Sequence, residues 1–161
     1  MGNYAGFGAR LGGRLLDGLL YGLLGAVFSV PAVILIISAF KDCTRTTSID
    51  GTKSITCDPG QLKTGLLLAG IAIGALGVIV IGLLYISHLG KTGQTWGRKI
   101  VGVKVVTKDT GAPLGFARAL GRTLIEQTIS GICFLGFLWM LWDKDKQTWH
   151  DKIVNSVVVK V

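Results

Sequence analysis

Residues 18–40 read GLLYGLLGAVFSVPAVILIISAF, 23 positions without a charge, entered directly from Asp17. At 1.5 Å per residue this run makes a helix of about 34 Å, enough to cross a hydrocarbon core of roughly 30 Å. Pro31, near the middle, removes one backbone hydrogen bond and predicts a kink that packing in a membrane bundle can compensate. A second uncharged run of 22 positions, Gly65 to Ile86, is flanked by Lys63 on one side and by His88 and Lys91 on the other. Two transmembrane helices are therefore expected, at about 18–40 and 65–86. Gly18 with Gly22, and Gly70 with Gly74, have the small-x-x-x-small spacing that lets helix backbones approach closely.

Composition points the same way. The 161 residues are 50% hydrophobic and 16% charged, with a mean hydropathy of +0.57 and 24 glycines against three prolines. This is too apolar and too glycine-rich for an ordinary soluble domain, and one membrane domain over 1–161 is expected. Met1 to Phe7 lack the charged start and small-residue cleavage site of a secretory signal, so the first span is expected to stay attached.

Between the spans, a polar loop at 41–63 carries four basic residues and three aspartates. After the second span, residues 91–122 hold seven basic residues against one acid, Asp109, and the tail 143–161 adds four lysines. The positive-inside rule places that segment, the tail and the N-terminus in the cytoplasm and the loop outside. The net charge of +8 then reflects attraction to anionic lipid headgroups, and nucleic acid need not be invoked. Cys43 and Cys57 fall in the loop on the oxidising side, where a disulfide between them would close about 15 residues. Two free thiols are the alternative. Cys133 lies in an apolar run, and neither His88 nor His150 is near the loop cysteines, so no metal site is expected.

The cytoplasmic half reads differently. Lys99 to Thr107, KIVGVKVVT, alternates and is β-branched; a turn signal follows at 108–111, and Ser156 to Val161, SVVVKV, is a second β-like run. Their pairing requires both on one side of the membrane. Between them, Thr123 to Trp142 is apolar apart from Glu126. It is either a third short span or, preferred because the strands should pair, a re-entrant helical hairpin broken near Gly131 or Gly136. The expected fold class is thus a mainly α membrane protein with two full spans, this third apolar segment at about 123–142, and a small cytoplasmic strand pair.

Charged residues at membrane depth cost at least a few kcal/mol, so they are paired, turned from lipid, or used. Arg10, Asp17, Glu126 and Asp151 are such residues. Arg10, Arg14 and Asp17 form one helical stripe, and Arg118, Arg122 and Glu126 another. For Arg14 and Arg118 a local ion pair or snorkelling to the headgroups suffices. Asp17 is too short to snorkel and is expected to face a partner arginine. Arg10, Asp17, Arg122 and Asp151 are expected to form one interhelical network with Glu126 beside it, structural or ion-binding. Trp96, Trp139, Trp142 and Trp149 are expected at the membrane interface.

These residues occur in an ordered set of motifs: Tyr4-Ala5-Gly6-Phe7, then Arg10 and Asp17; Gly93-Gln94-Thr95-Trp96-Gly97-Arg98-Lys99 leading into Val101 to Val106; and Gln147-Thr148-Trp149-His150-Asp151-Lys152 followed by Val157-Val158-Val159. The set resembles the RDD family of bacterial membrane proteins, over nearly the whole chain. The resemblance places the naming arginine on Arg10 and the two aspartates on Asp17 and Asp151, with Arg122 matching a further usual arginine. Gly8 and Ala9 stand where the family often has an aromatic and an arginine, and Ser156 replaces a threonine. None of these touches the naming triad.

The resemblance implies a bacterial inner-membrane location but little about activity. Some members are reported as cation/proton antiporters, a role for which Asp17 and Asp151 would serve as carrier carboxylates. Two or three spans are too few to enclose a path, so an antiporter would be an oligomer, and no inverted repeat is visible. The preferred expectation is an accessory or structural subunit of a larger membrane complex or homo-oligomer. No enzymatic activity and no cofactor is expected: His150-Asp151 has no nucleophile placed with it by motif, and His150 is expected to cap or hydrogen-bond near Asp151. Gly6-x-Gly8 follows no strand and is no nucleotide loop.

Overall fold

The computed structural model of the protein describes residues 3–57, 60, 62–130 and 135–161. Two long helices carry the apolar runs. Helix α1, Phe7–Ala39, has 33 residues and contains Pro31; α2, Thr64–Thr92, has 29. Both extend beyond the uncharged stretches. Helix α1 starts well before Gly18 because the charges on its first turns find partners elsewhere in the fold, so nothing forces the helix to begin after them. Helix α2 continues past Ile86 and ends where Gly93 adopts a φ of 72°.

These are the two helices, among the described residues, long and apolar enough to cross a membrane. Their apolar faces are left bare: Leu15, Leu23 and Val27 are 65–66% exposed, and Leu68, Leu76 and Val78 are exposed too. Such a continuous apolar surface is unfavourable in water and suited to lipid, where helices satisfy every backbone group internally.

The chain divides into two compact units. One, Leu23–Ile81, holds the second part of α1, the connecting loop and the first part of α2. The loop is ordered as a hairpin of β1, Thr44–Thr47, and β2, Lys53–Thr56, antiparallel with Thr47 opposite Lys53. Its turn is built by local bonds: Asp50 accepts from Thr52 N–H at 3.0 Å and Thr52 Oγ1 at 2.7 Å, and Gly51 takes a φ of 82°. Cys43 and Cys57 form a disulfide beside the open end of the hairpin. In this unit the close helix approach is made by Gly70, Gly74 and Gly77 against Ala32, Ile36 and Phe28. Of the two predicted glycine pairs, Gly70 with Gly74 takes part, whereas Gly18 and Gly22 face open space.

The other unit, Met1–Gly22 with Gly82–Val161, contains the remaining elements. These are α3 (Trp96–Ile100), β3 (Val103–Thr107), α4 (Phe116–Ile125), a π turn at Glu126–Ser130, α5 (Leu135–Leu138), a 3-10 turn at Trp139–Leu141, α6 (Trp149–Ile153) and β4 (Ser156–Lys160). Strands β3 and β4 pair antiparallel, from Val103 opposite Lys160 to Thr107 opposite Ser156. The N-terminal segment joins the free edge of β4, with Ala5 N–H donating to Val158 O at 2.8 Å and Lys160 N–H to Asn3 O at 2.9 Å. A core of Ala5, Ile86, Leu89, Val103, Val105, Leu114, Ala119 and Val158 packs beneath. Fully burying each Val or Leu is worth roughly 1.5–3 kcal/mol.

Two expectations change. The strand predicted from Lys99 starts at Val103, because Trp96–Ile100 forms a helical turn and Gly102 breaks it with a φ of 69°. Among the described residues of the apolar segment 123–142, α4 passes into the π turn, and α5 and the 3-10 turn are short. Gly136 lies inside α5 and is not a break; Gly131 and Cys133 lie outside the described residues.

Candidate functional site

The site is an ionic cluster assembled from α1, α4, the π turn and the C-terminal tail. Asp151, completely buried, is its centre. One carboxylate oxygen accepts from Arg122 Nε at 3.0 Å and Nη2 at 2.8 Å and from Ser156 Oγ at 3.2 Å; the other accepts from Arg10 Nη1 at 2.7 Å and Thr148 N–H at 3.3 Å. The Thr148 contact is half of a capping box at the start of α6, completed by Asp151 N–H donating to Thr148 Oγ1. Thus the aspartate that starts a short helix also anchors two arginines. Burial alone would raise its pKa; Arg122, His150 and Arg10 outweigh that and hold the carboxyl well below the usual range.

Arg10 spends its whole fork in this unit, donating also to Ala5 O at 3.2 Å and to Lys146 O at 2.7 Å. The second contact depends on the turn before α6. Gln147 N–H bonds to Asp143 Oδ2 at 3.0 Å, and Lys146, with a φ of 49°, presents its carbonyl to the guanidinium.

Glu126, the first residue of the π turn, is buried and accepts from Arg14, with Arg122 Nη1 at 3.7 Å from its second oxygen. His150 lies on the same group. Its Nε2 is 2.8 Å from Thr148 Oγ1, 4.0 Å from Glu126 and 3.9 Å from Asp151. Burial and then the charge of Arg122 push its pKa down to about 3, so it is a neutral imidazole at pH 7.

Asp17 sits apart from these ion pairs. Its oxygens accept from Thr95 Oγ1 and, at 2.7 Å, from Gly97 N–H, and Arg98 Nε lies 3.8 Å away. A carboxylate on α1 thereby serves the buried N–H end of α3, for which Thr95 makes no side-chain cap of its own. The fit depends on Gly97: a Cβ there would stand 2.4 Å from Asp17 N and 2.5 Å from Gly13 O. Arg98 also reaches Tyr85, whose hydroxyl accepts from Nη2 at 3.0 Å. Beside it, Tyr21 stacks on Trp96 at 5.0 Å, meets Tyr85 edge-on at 5.3 Å and reaches His88 Nδ1 at 3.1 Å.

The structure therefore brings Arg10, Arg122, Glu126 and Asp151 together and gives Asp17 a separate set of partners. Arg118 is exposed. Arg14, expected to be satisfied locally, crosses to Glu126 instead. Thr95 and Arg98 were not assigned from sequence, although both lie in the Gly93–Lys99 motif.

The family model for RDD proteins matches residues 4–155. The chain belongs to the RDD family. Among relatives, the proline-rich antigen homolog of Mycobacterium tuberculosis is 33% identical over 133 residues, covering 80% of this chain and 53% of that protein, with the same figures in two strains. The proline-rich antigen of Mycobacterium leprae is 38% identical over 72 residues, 45% of this chain and 29% of its own length. This RDD chain thus spans about half the length of the Mycobacterium tuberculosis relatives it matches. No solved structure matches it.

Proposed function

We propose that this RDD protein is a small accessory or structural subunit of a membrane complex, in which the arginine–carboxylate network fixes helix register rather than moving ions. The saturation of Asp151 carries the reading: two guanidinium groups, a backbone N–H and a hydroxyl occupy both oxygens of a residue with no solvent exposure. A carboxylate that shuttles a cation or proton must exchange partners readily, and one held this firmly in its charged form does not. The alternative, an oligomeric cation/proton antiporter using Asp17 and Asp151, draws less support, because Asp17 too is occupied by donors from α3. His150 has a structural role in this reading, and no enzymatic activity is proposed.

The sheet supports one placement in the membrane. The N-terminal segment, β3 and β4 hydrogen-bond to one another, which supports putting all three on one face of the membrane, with an even number of crossings between each pair. The segment 123–142 then dips in and returns. The bias of basic residues makes that face the cytoplasmic face of a bacterial inner membrane and the disulfide-closed hairpin the outer one. The basic residues of that face suit a larger membrane partner or a second copy, against a bilayer with anionic headgroups.

The deciding experiment pairs Asp17→Asn with purification in mild detergent and reconstitution in liposomes. The subunit reading expects a lower thermal midpoint, a co-purifying complex or homo-oligomer, and no cation-driven proton flux from the native chain. Flux abolished by Asp17→Asn in a normally folded protein would replace it with the antiporter.

A further inference from the structure

Within the unit formed by Met1–Gly22 and Gly82–Val161 lies a pocket of about 970 Å³, at the upper end of the roughly 300–1,000 Å³ typical of small-molecule sites. Its apolar wall includes Leu11, Leu15 and Leu19 of α1 with Leu138 and Met140. Its polar lining is strongly one-sided. Arg10, Arg14, Arg98 and Arg122 contribute, against a single carboxylate, Glu126. Adding Asp17 and Asp151 behind them leaves four guanidinium groups and three carboxylates, a net charge of +1 with His150 neutral.

Two of these arginines are incompletely satisfied. Arg98 and Arg122 are 6% and 3% exposed, and Nη1 of each has no hydrogen-bond partner among the described residues. Buried donors without acceptors are costly, and buried positive charge more so. Both costs are relieved by one ligand chemistry: an anion with several acceptor oxygens, to which guanidinium groups bind in charge-assisted pairs. The wall specifies the rest. Leu15 and Leu19 are 66% and 59% exposed on a helix long and apolar enough to cross a bilayer, so hydrocarbon meets them from the membrane side.

We propose that this pocket binds an anionic phospholipid, its phosphate on the Arg98 and Arg122 guanidinium groups and an acyl chain along Leu11, Leu15 and Leu19. The assignment goes beyond the subunit role and stands whether or not a protein partner exists. A phosphate diester supplies two unesterified oxygens for two arginines on different elements, and the surplus positive charge selects a lipid with net negative charge over a zwitterionic one.

The test uses the delipidated full-length protein in neutral detergent, titrated with dioctanoyl phosphatidylglycerol, dioctanoyl phosphatidylcholine, octanoate and inorganic phosphate, read by thermal midpoint and native mass spectrometry. Phosphatidylglycerol is expected to form a one-to-one adduct and raise the midpoint, with phosphatidylcholine weaker by about tenfold, as expected for the loss of one favourable charge interaction. Leu15→Trp and Leu19→Trp, which fill the pocket from its exposed wall, are expected to abolish the adduct while leaving the ion pairs in place. Equal binding of phosphatidylcholine would overturn the charge argument. Inorganic phosphate or octanoate matching phosphatidylglycerol would overturn the lipid assignment, as would an adduct that survives both tryptophan variants, a second copy filling the site, or no binding at all.

Discussion

The guanidinium of Arg10 and the carboxylate of Asp151, 141 positions apart, meet at 2.7 Å and tie the first turn of α1 to the start of α6. Removing one side of a buried pair strands the other, at a typical cost of about 3–5 kcal/mol. Asp151→Asn keeps the shape but replaces an accepting oxygen with a donor facing a guanidinium or a backbone N–H. It is expected to lower stability by about that amount, read as the thermal midpoint in mild detergent. A midpoint equal to that of the native protein would refute the structural role of the pair.

Acid should act through His150 first. Its pKa, pushed from 6.5 down to about 3 by burial and Arg122, means that the unfolded chain binds this proton and the folded one does not across that window. Stability from the neutral imidazole is therefore complete above about pH 6.5 and is lost as pH falls toward 3, on the order of a few kcal/mol. Asp151 acts in the same direction at lower pH: its depressed pKa keeps its contribution intact above the ordinary carboxylate range and loses it only below. Glu126, Asp151 and Arg122 face the imidazole. His150→Gln, which can still hydrogen-bond Thr148 but cannot titrate, should flatten the stability profile between pH 7 and 5. A profile as steep as that of the native chain would count against the assignment.

What could be read from the sequence was local. The uncharged runs around Pro31 and Gly74 specify helices by length, and the alternation of Val103 to Thr107 and Ser156 to Lys160 specifies strands, because both signals are carried by near neighbours. The hairpin at Thr44–Thr56 was not legible, since its strands, TRTT and KSIT, lack an apolar face and owe their order to the Asp50 turn. Pairing partners were harder still. Arg14 has Asp17 three residues away, yet its carboxylate is Glu126, 112 positions on. Asp17 was expected beside Asp151, but α3 intervenes: Gly97 allows that turn to sit against the backbone of α1 and claim the carboxylate. Such choices depend on which elements pack, which no spacing records.

That contact gives a prediction. Gly97→Ala places a methyl 2.4 Å from Asp17 N and 2.5 Å from Gly13 O, both backbone atoms that cannot swing aside. The α3 turn must move, costing the Asp17 bonds as well, and a loss of about 2 kcal/mol or more is expected. Gly22→Ala, where an added methyl meets nothing within 4 Å, is the matched control and should be neutral or slightly stabilising through helix propensity. Parallel thermal melts decide it; equal midpoints for the two variants would show that the close approach is unimportant.

The disulfide offers a separate handle on the unit Leu23–Ile81. Cys43 and Cys57, 14 positions apart, staple the ends of a hairpin whose strands have four residues each and little apolar surface. Short two-stranded ribbons are marginal alone, and closing a loop of about 15 residues is worth about 3 kcal/mol in the chain-entropy model. Reducing the native protein with dithiothreitol should open the hairpin, seen as faster amide exchange at Ser48 and Gly51, whose N–H groups donate at 2.9 Å within the turn. The double variant Cys43→Ser with Cys57→Ser, with Cys133 kept, should exchange at that faster rate from the outset and respond no further to the reductant. Exchange at Ser48 and Gly51 that is unchanged by both treatments would mean that the Asp50 turn alone holds the hairpin.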